Sequence, residues 1–317
     1  MAPLTLERQQ VWLYLVALGA GLLVCTVAPV VGPVAETLVW PVLGLLLFTT
    51  FVQVPLLHLR EAVTDTRFTG VALVGNFVLV PLLVWGLVQF LPDDPAIRLG
   101  VLLVLLVPCT DWFITFTHLA GGDSARAVTL TPVNLVLQLL LLPGYLWLIA
   151  RSDVAGVLTP AQVAPAVLVV AVPLLVAVAT EWGIDRGPVP ASARDRLRWG
   201  PVPLLALVIF LIAAAQVDAV VDAIEVLPSI VPVFVAFLVA VAALASVLAR
   251  AVSLPPAQGR TLAFTLATRN SFVVLPLALA LPAGFEVAVV AIVVQSLVEL
   301  WGMIAYLWWV PRAFPTR

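Results

Sequence analysis

Residues 107–116, VPCTDWFITF, set a proline, a thiol, a hydroxyl and a carboxylate side by side in a run that starts near Leu99 and otherwise carries nothing hydrophilic before Thr115. A second interruption, Thr268-Arg269-Asn270-Ser271, and a single acidic residue, Glu299, stand inside two later apolar runs. In a bilayer an ionised group at a helix centre costs about 2.5–3.5 kcal/mol on insertion scales. Each of these groups has chemistry to offer. A carboxylate at Asp111 or Glu299 can carry a proton, the Arg269 guanidinium can anchor a carboxylate-type anion, and a Cys109 thiolate is a soft ligand for a thiophilic centre.

Two readings stay open for Asp111 and Arg269. They are coupling groups beside a substrate site, or they form an ion pair that holds two segments together; a proton on Asp111 would break that pair, so one arrangement can do both. Cys109 is equally open. It packs as a small hydrophobe, or it contacts substrate, with Pro108, a helix start and Arg269 nearby favouring thiolate character. Glu299 is the preferred proton carrier, because a buried carboxylate is dearer than the amides of Gln295, Asn134 and Gln138 that accompany it. Gln138, Asn76 and Gln53 read as structural, Cys25 as packing, and His58 and His118 as interfacial. Gly121-Gly122-Asp123-Ser124 reads as a helix stop followed by an N-cap.

No GxxxxGK[ST] loop exists in a chain whose fifteen basic residues are all Arg, and no HExxH, CxxC or paired His points to a metal. The expectation is therefore no enzyme activity, no cofactor and no resident metal. The two cysteines lie within apolar runs and suggest no disulfide framework.

The elements that must position these residues follow from composition. Of 317 residues, 63% are hydrophobic and only 10% charged, against roughly 25% charged in soluble domains. Cut at charged or Pro/Gly-rich breaks, the chain yields ten runs near the roughly 20 residues a membrane helix needs: 11–31, 38–57, 69–91, 98–119, 125–150, 161–181, 201–217, 228–249, 260–281 and 286–310. The first run reads as a retained helix rather than a signal peptide. Placing the N-terminus in the cytoplasm puts Arg8, Arg60, Arg67, Arg126, Arg186, Arg194, Arg196, Arg198, Arg250, Arg260, Arg312 and Arg317 on that side and only Arg98 and Arg151 opposite. Asp93, Asp94, Asp153, Asp218, Asp222, Glu225 and Glu286 then fall outside, and both termini are expected in the cytoplasm of a multi-pass inner (plasma) membrane protein. Topology accounts for the arginines, so no nucleic acid partner is expected; the partners are the lipid bilayer and a small inorganic or anionic substrate.

The chain also repeats itself. GYLWLIAR at 144–151 returns as AYLWWVPR at 305–312, displaced by 161 positions, and the same displacement carries Asn134 to Gln295, Gln138 to Glu299 and Cys109 to Asn270. Five runs per half is odd, so the second half should be inverted, as in secondary transporters whose substrate site lies at discontinuous helices near the midplane. The expected fold is all-α, with ten transmembrane helices in two inverted five-helix repeats. The fourth and ninth helices break at Pro108 and Thr268 and cross there.

Cys109 at the fourth-run break followed by Gly121-Gly122-Asp123, Asn270 at the ninth-run break, and Glu299 in the tenth run resemble the arsenical-resistance-3 type arsenite efflux permeases of the bile acid/sodium symporter superfamily. That resemblance spans essentially the whole chain. It implies functional roles for Cys109 and Glu299 and export of arsenite, with antimonite as a second candidate, by proton or sodium exchange. It also implies panel helices at 1–60 and 159–220 moving against core helices at 61–158 and 221–317. Pro108 and Asp111 depart from the family's pattern, and Arg269 replaces hard-cation ligands of the sodium-coupled branch, which favours proton antiport. The expected substrate-binding set is Cys109, Thr110, Asn134, Asn270 and Ser271, with Asp111, Arg269 and Glu299 governing charge. The alternative is a transporter of a small organic anion held by Arg269.

Overall fold

The computed structural model describes residues 2–28, 30–58, 65–149, 160–190, 192–215 and 223–315. Arg60, Arg151, Asp153, Asp218, Asp222 and Arg317, which entered the orientation count, lie outside them, as does the side chain of Arg8. The elements are α1 (Ala2–Val27), α2 (Val31–Phe51), α3 (Thr66–Val88), α4 (Pro95–Leu105), α5 (Phe113–Leu119), α6 (Ser124–Ile149), α7 (Pro160–Arg186), α8 (Ser192–Leu197), α9 (Pro201–Ala215), α10 (Leu227–Ala251), α11 (Pro256–Ala267), α12 (Ser271–Leu279) and α13 (Glu286–Ala313).

Among the described residues, seven helical segments are long and apolar enough to cross a membrane. The protein is therefore a polytopic, all-helical membrane protein. Seven rather than ten has a physical reason. The fourth and ninth runs are each two half-helices, α4 with α5 and α11 with α12, none of which is long enough to cross alone. The described apolar part of α1 is only Trp12–Val27.

The breaks follow from the sequence. Pro108 has no N–H to donate and disfavours helical geometry at Val107, so helix α4 stops at Leu105. Thr268 turns extended (φ −93°, ψ 139°), and Asn270 then caps α12 by accepting from the Val273 N–H at 3.4 Å. Two further helix starts are capped as well. Asp94 accepts from the Ala96 and Ile97 N–H groups ahead of Pro95, and Asp65 accepts from Phe68. The turn predicted at 121–124 forms, with Gly121 at φ +68° and the Asp123 carboxylate accepting from the Arg126 N–H.

Two packing groups surround the breaks. Helices α1 and α2 pack on α9, α7 packs on α2, and α12 lies against both α2 and α7, while α4 lies on α13, α10 on both α11 and α13, and α5 on α6 and α11. Helix α4 is buried on nearly every side, as expected of a helix that is apolar all round. At Gly100 an added Cβ would sit 2.7 Å from the Ala288 Cα, so the α4 and α13 backbones touch. Within α3, residues Gly75–Leu79 form one π-helical turn, which places Asn76 against α11 through a bond to Thr265 Oγ1 at 3.2 Å.

Candidate functional site at the helix crossing

The two unwound stretches meet as a short antiparallel bridge with Pro108 opposite Arg269. The Cys109 N–H donates to the Thr268 carbonyl at 3.0 Å and the Asn270 N–H to the Val107 carbonyl at 2.8 Å. These two bonds satisfy backbone groups that the broken helices release far from water, as membrane burial demands. Each bond maps onto the other under the 161-residue displacement. The same is true of two distant bonds, Tyr145 Oη to the Phe77 carbonyl and Tyr306 Oη to the Leu238 carbonyl, both 2.5 Å.

Around the bridge the side chains lock together. Asn270 Nδ2 donates to Thr110 Oγ1 at 2.9 Å, and Thr268 Oγ1 closes back on the Phe264 carbonyl at 2.8 Å. Ser271 Oγ donates to Gln295 Oε1 at 3.2 Å and accepts from Ser296 Oγ at 2.7 Å. Glu299, fully buried, accepts through one oxygen from the Arg269 backbone N–H at 2.8 Å and from Gln295 Nε2 at 2.7 Å. Cys109 is buried and its Sγ accepts from the Asp111 N–H at 3.4 Å. Asn134 reaches Thr265 Oγ1 at 3.5 Å and leaves its Oδ1 without a partner.

Of the two readings left open for Asp111 and Arg269, the ion pair is not what the described bonds of Arg269 make. The guanidinium of Arg269, 1% exposed, donates to Asn76 Oδ1 at 3.0 Å and to the carbonyls of Leu105, Thr265 and Leu266 at 3.3, 3.2 and 2.6 Å. The carbonyls of Leu105, Thr265 and Leu266 belong to the last turns of α4 and α11, whose partial negative charge suits a cation. Neutral oxygens rather than a carboxylate therefore hold the charge. Asp111 is placed elsewhere, on the wall of a cavity of about 630 Å³.

That cavity is lined by Arg194, Asp195 and Arg198 as well as by Asp111, Trp112 and Phe272, with Tyr14, Phe116 and Leu300 among its other lining residues. Of the expected site residues only Asp111 lines it; Cys109, Asn134, Asn270, Ser271 and Glu299 lie behind the wall. Four residues left aside or given a structural role in the sequence join the site. Asn76 and Thr265 hold Arg269 and Asn134, and Trp112 and Gln53 line the cavity. The 265–269 spacing is one helical turn, a signal that could have found Thr265.

At the end of the molecule where α3, α6 and α11 begin, Arg126 pairs with Asp65 at 2.6 Å and with Asp123. The Phe68 N–H, together with the Arg126 guanidinium, holds the Asp65 carboxyl below its usual range. Arg260 ties this end together by donating to the carbonyls of Phe314, Ala120 and Gly121. No group of three or more metal-ligating side chains occurs among the described residues.

The family model described as the sodium bile acid symporter family matches residues 40–223. A segment of 89 residues, 28% of the chain, is 30% identical to the arsenical-resistance protein Acr3 of Corynebacterium glutamicum. The matched segment spans about a quarter (24%) of that relative's length.

Proposed function

Because the chain belongs to the sodium bile acid symporter family, a family of membrane transporters, we propose that it exports arsenite by proton antiport with alternating access, and that antimonite shares the route. The observation that carries this reading is the placement of Cys109, a thiol in unwound backbone at the crossing, bonded to the N–H of a cavity-lining residue. The likeness to an arsenical-resistance protein supports it. In this reading Cys109 meets the metalloid, and Thr110, Asn134, Asn270 and Ser271 orient it. Glu299 carries the proton beside the fixed charge of Arg269.

Ten spans in two inverted halves, with both termini in the cytoplasm of the plasma membrane, complete the proposal. The bond pairs related by 161 positions support the repeat. The packing of α1 and α2 on α9 and of α7 on α2 supports a panel unit that meets the core at α12. In the proposed orientation the cavity faces the cytoplasm, so the conformation is inward-open, ready to load an export substrate.

Two observations favour the organic-anion alternative: the cavity is far roomier than a metalloid oxyacid needs, and two arginines, Arg194 and Arg198, are among its lining residues. With Arg269 committed to Asn76 and backbone carbonyls, Arg194 and Arg198 would then have to supply the attraction. Cys109→Ser separates the readings. A strain lacking arsenite efflux, complemented with this variant, should remain arsenite-sensitive where the wild type restores growth. Full resistance in the variant, with intact uptake of an organic anion in vesicles, would replace the arsenite reading.

A further inference from the structure

Among the buried polar atoms beside the crossing that carry no hydrogen bond are Nε1 of Trp112 and Oε1 of Glu299. Trp112 and Leu300, the residue that follows Glu299 in the chain, line the same cavity, so the two orphaned groups flank one stretch of its wall without forming a hydrogen bond. Native interiors seldom leave such groups unpaired, and an orphaned pair calls for an explanation.

The cavity supplies one. Trp112 is on its wall together with Asp111, Phe272 and Leu300, whereas Glu299 lies behind that wall and is fully buried. The indole thus stands between the open space and the carboxylate. It rises from the unwound stretch between α4 and α5, where the Trp112 side chain makes no capping bond, and its described ring contact is edge-on to Phe272 at 6.0 Å. Rotation about its side-chain torsions would break no hydrogen bond of its own.

We infer that Trp112 is the gate between the cavity and Glu299. When its ring is in place the carboxylate is sealed from water. A small turn of the ring toward Oε1 completes the missing N–H···O bond, and a larger turn away opens a path for a proton or a polar solute. Trp112 is a positioning residue, acting through Glu299. The inference deepens the proposed coupling role of Glu299, but access to that carboxylate can be measured without any transport.

The test uses the purified full-length protein in detergent and a water-soluble carbodiimide, with adducts at Glu299 quantified by peptide mass spectrometry against those at Asp111, which lines the cavity in every variant. Glu299→Gln supplies the blank. Trp112→Ala should raise the Glu299 labelling rate at least fivefold, Trp112→Phe should stay within twofold of wild type because the plug remains, and Leu300→Ala should leave the rate unchanged. Should Trp112→Ala fail to elute as a folded species, Trp112→Leu takes its place with the same expectation. Labelling of the small-side-chain variant at the wild-type rate would overturn the gate, as would equal acceleration by Leu300→Ala or by Trp112→Phe. Absence of arsenite transport by the wild-type protein, with the labelling pattern as expected, would count against the proposed substrate and leave the gate standing.

Discussion

Replacing Asn270 by Ala tests whether the crossing is locked by side chains as well as by its two backbone bonds. The Asn270 side chain does two things: it caps α12 through Val273 and donates to Thr110 Oγ1 at 2.9 Å. Loss of an Asn cap costs about 1 kcal/mol, and loss of a buried hydrogen bond costs about 1 kcal/mol more, so Asn270→Ala should destabilise by roughly 2 kcal/mol. Thr110→Val removes only the shared bond and should cost about 1 kcal/mol. The double variant loses the cap once and the bond once, about 2 kcal/mol in total rather than 3, which leaves a coupling of about 1 kcal/mol. Reversible unfolding in mixed micelles by SDS titration, followed by far-UV circular dichroism, measures all four corners of the cycle. Additive losses, within about 0.3 kcal/mol, would show that the two side chains do not hold each other. The crossing would then rest on its backbone bridge alone.

Arg269→Lys keeps the charge but replaces a planar fork with a point donor that cannot reach four separated oxygens; at about 1 kcal/mol for each bond lost, it should lower stability by roughly 2 kcal/mol in the same unfolding assay. Export into everted vesicles at fixed pH should proceed equally in sodium and in choline buffers, and a strict sodium requirement would refute proton coupling. Asp65 has its folded pKa depressed by the Phe68 N–H and by Arg126, so the folded state binds the proton more weakly than the unfolded state. Its stabilisation is complete above the ordinary carboxylate range and is lost as pH falls through the depressed value. Asp65→Asn should therefore flatten the acid limb of the stability profile below about pH 4 and leave the slope near neutrality unchanged.

The crossing was legible in the sequence because its cost is visible there: polar interruptions in apolar runs need a reason, and the repeat displayed two at equivalent positions. What could not be read was side-chain direction. Asp111 and Arg269 lie near one bridge, yet helix ends supply carbonyls that compete for a guanidinium, and these win at Arg269. Asn76 became its partner through a π-helical turn in α3, a one-residue irregularity that apolar periodicity does not register. Trp112 carried no reading in the sequence, because whether a side chain faces a cavity or a packed core depends on neighbours distant in sequence.

The 161-residue relation gives Cys109 a sharper test than removal of its thiol. Its counterpart, Asn270, accepts from a nearby N–H and donates to Thr110, whose own counterpart is Ser271. Cys109 reproduces the first contact weakly, through sulfur and the Asp111 N–H, because sulfur is a poor acceptor. An Asn at this position could accept the same N–H through oxygen and donate to Ser271 Oγ, which accepts from Ser296 and has a second lone pair. Cys109→Asn should therefore fold with stability within about 1 kcal/mol of wild type, the net worth of one hydrogen bond, while losing arsenite resistance. Such a protein would separate the thiol's chemistry from its structural place. If Cys109→Asn instead exported arsenite normally, the thiol would be no more than the weaker of two caps, and the metalloid reading would lose its anchor.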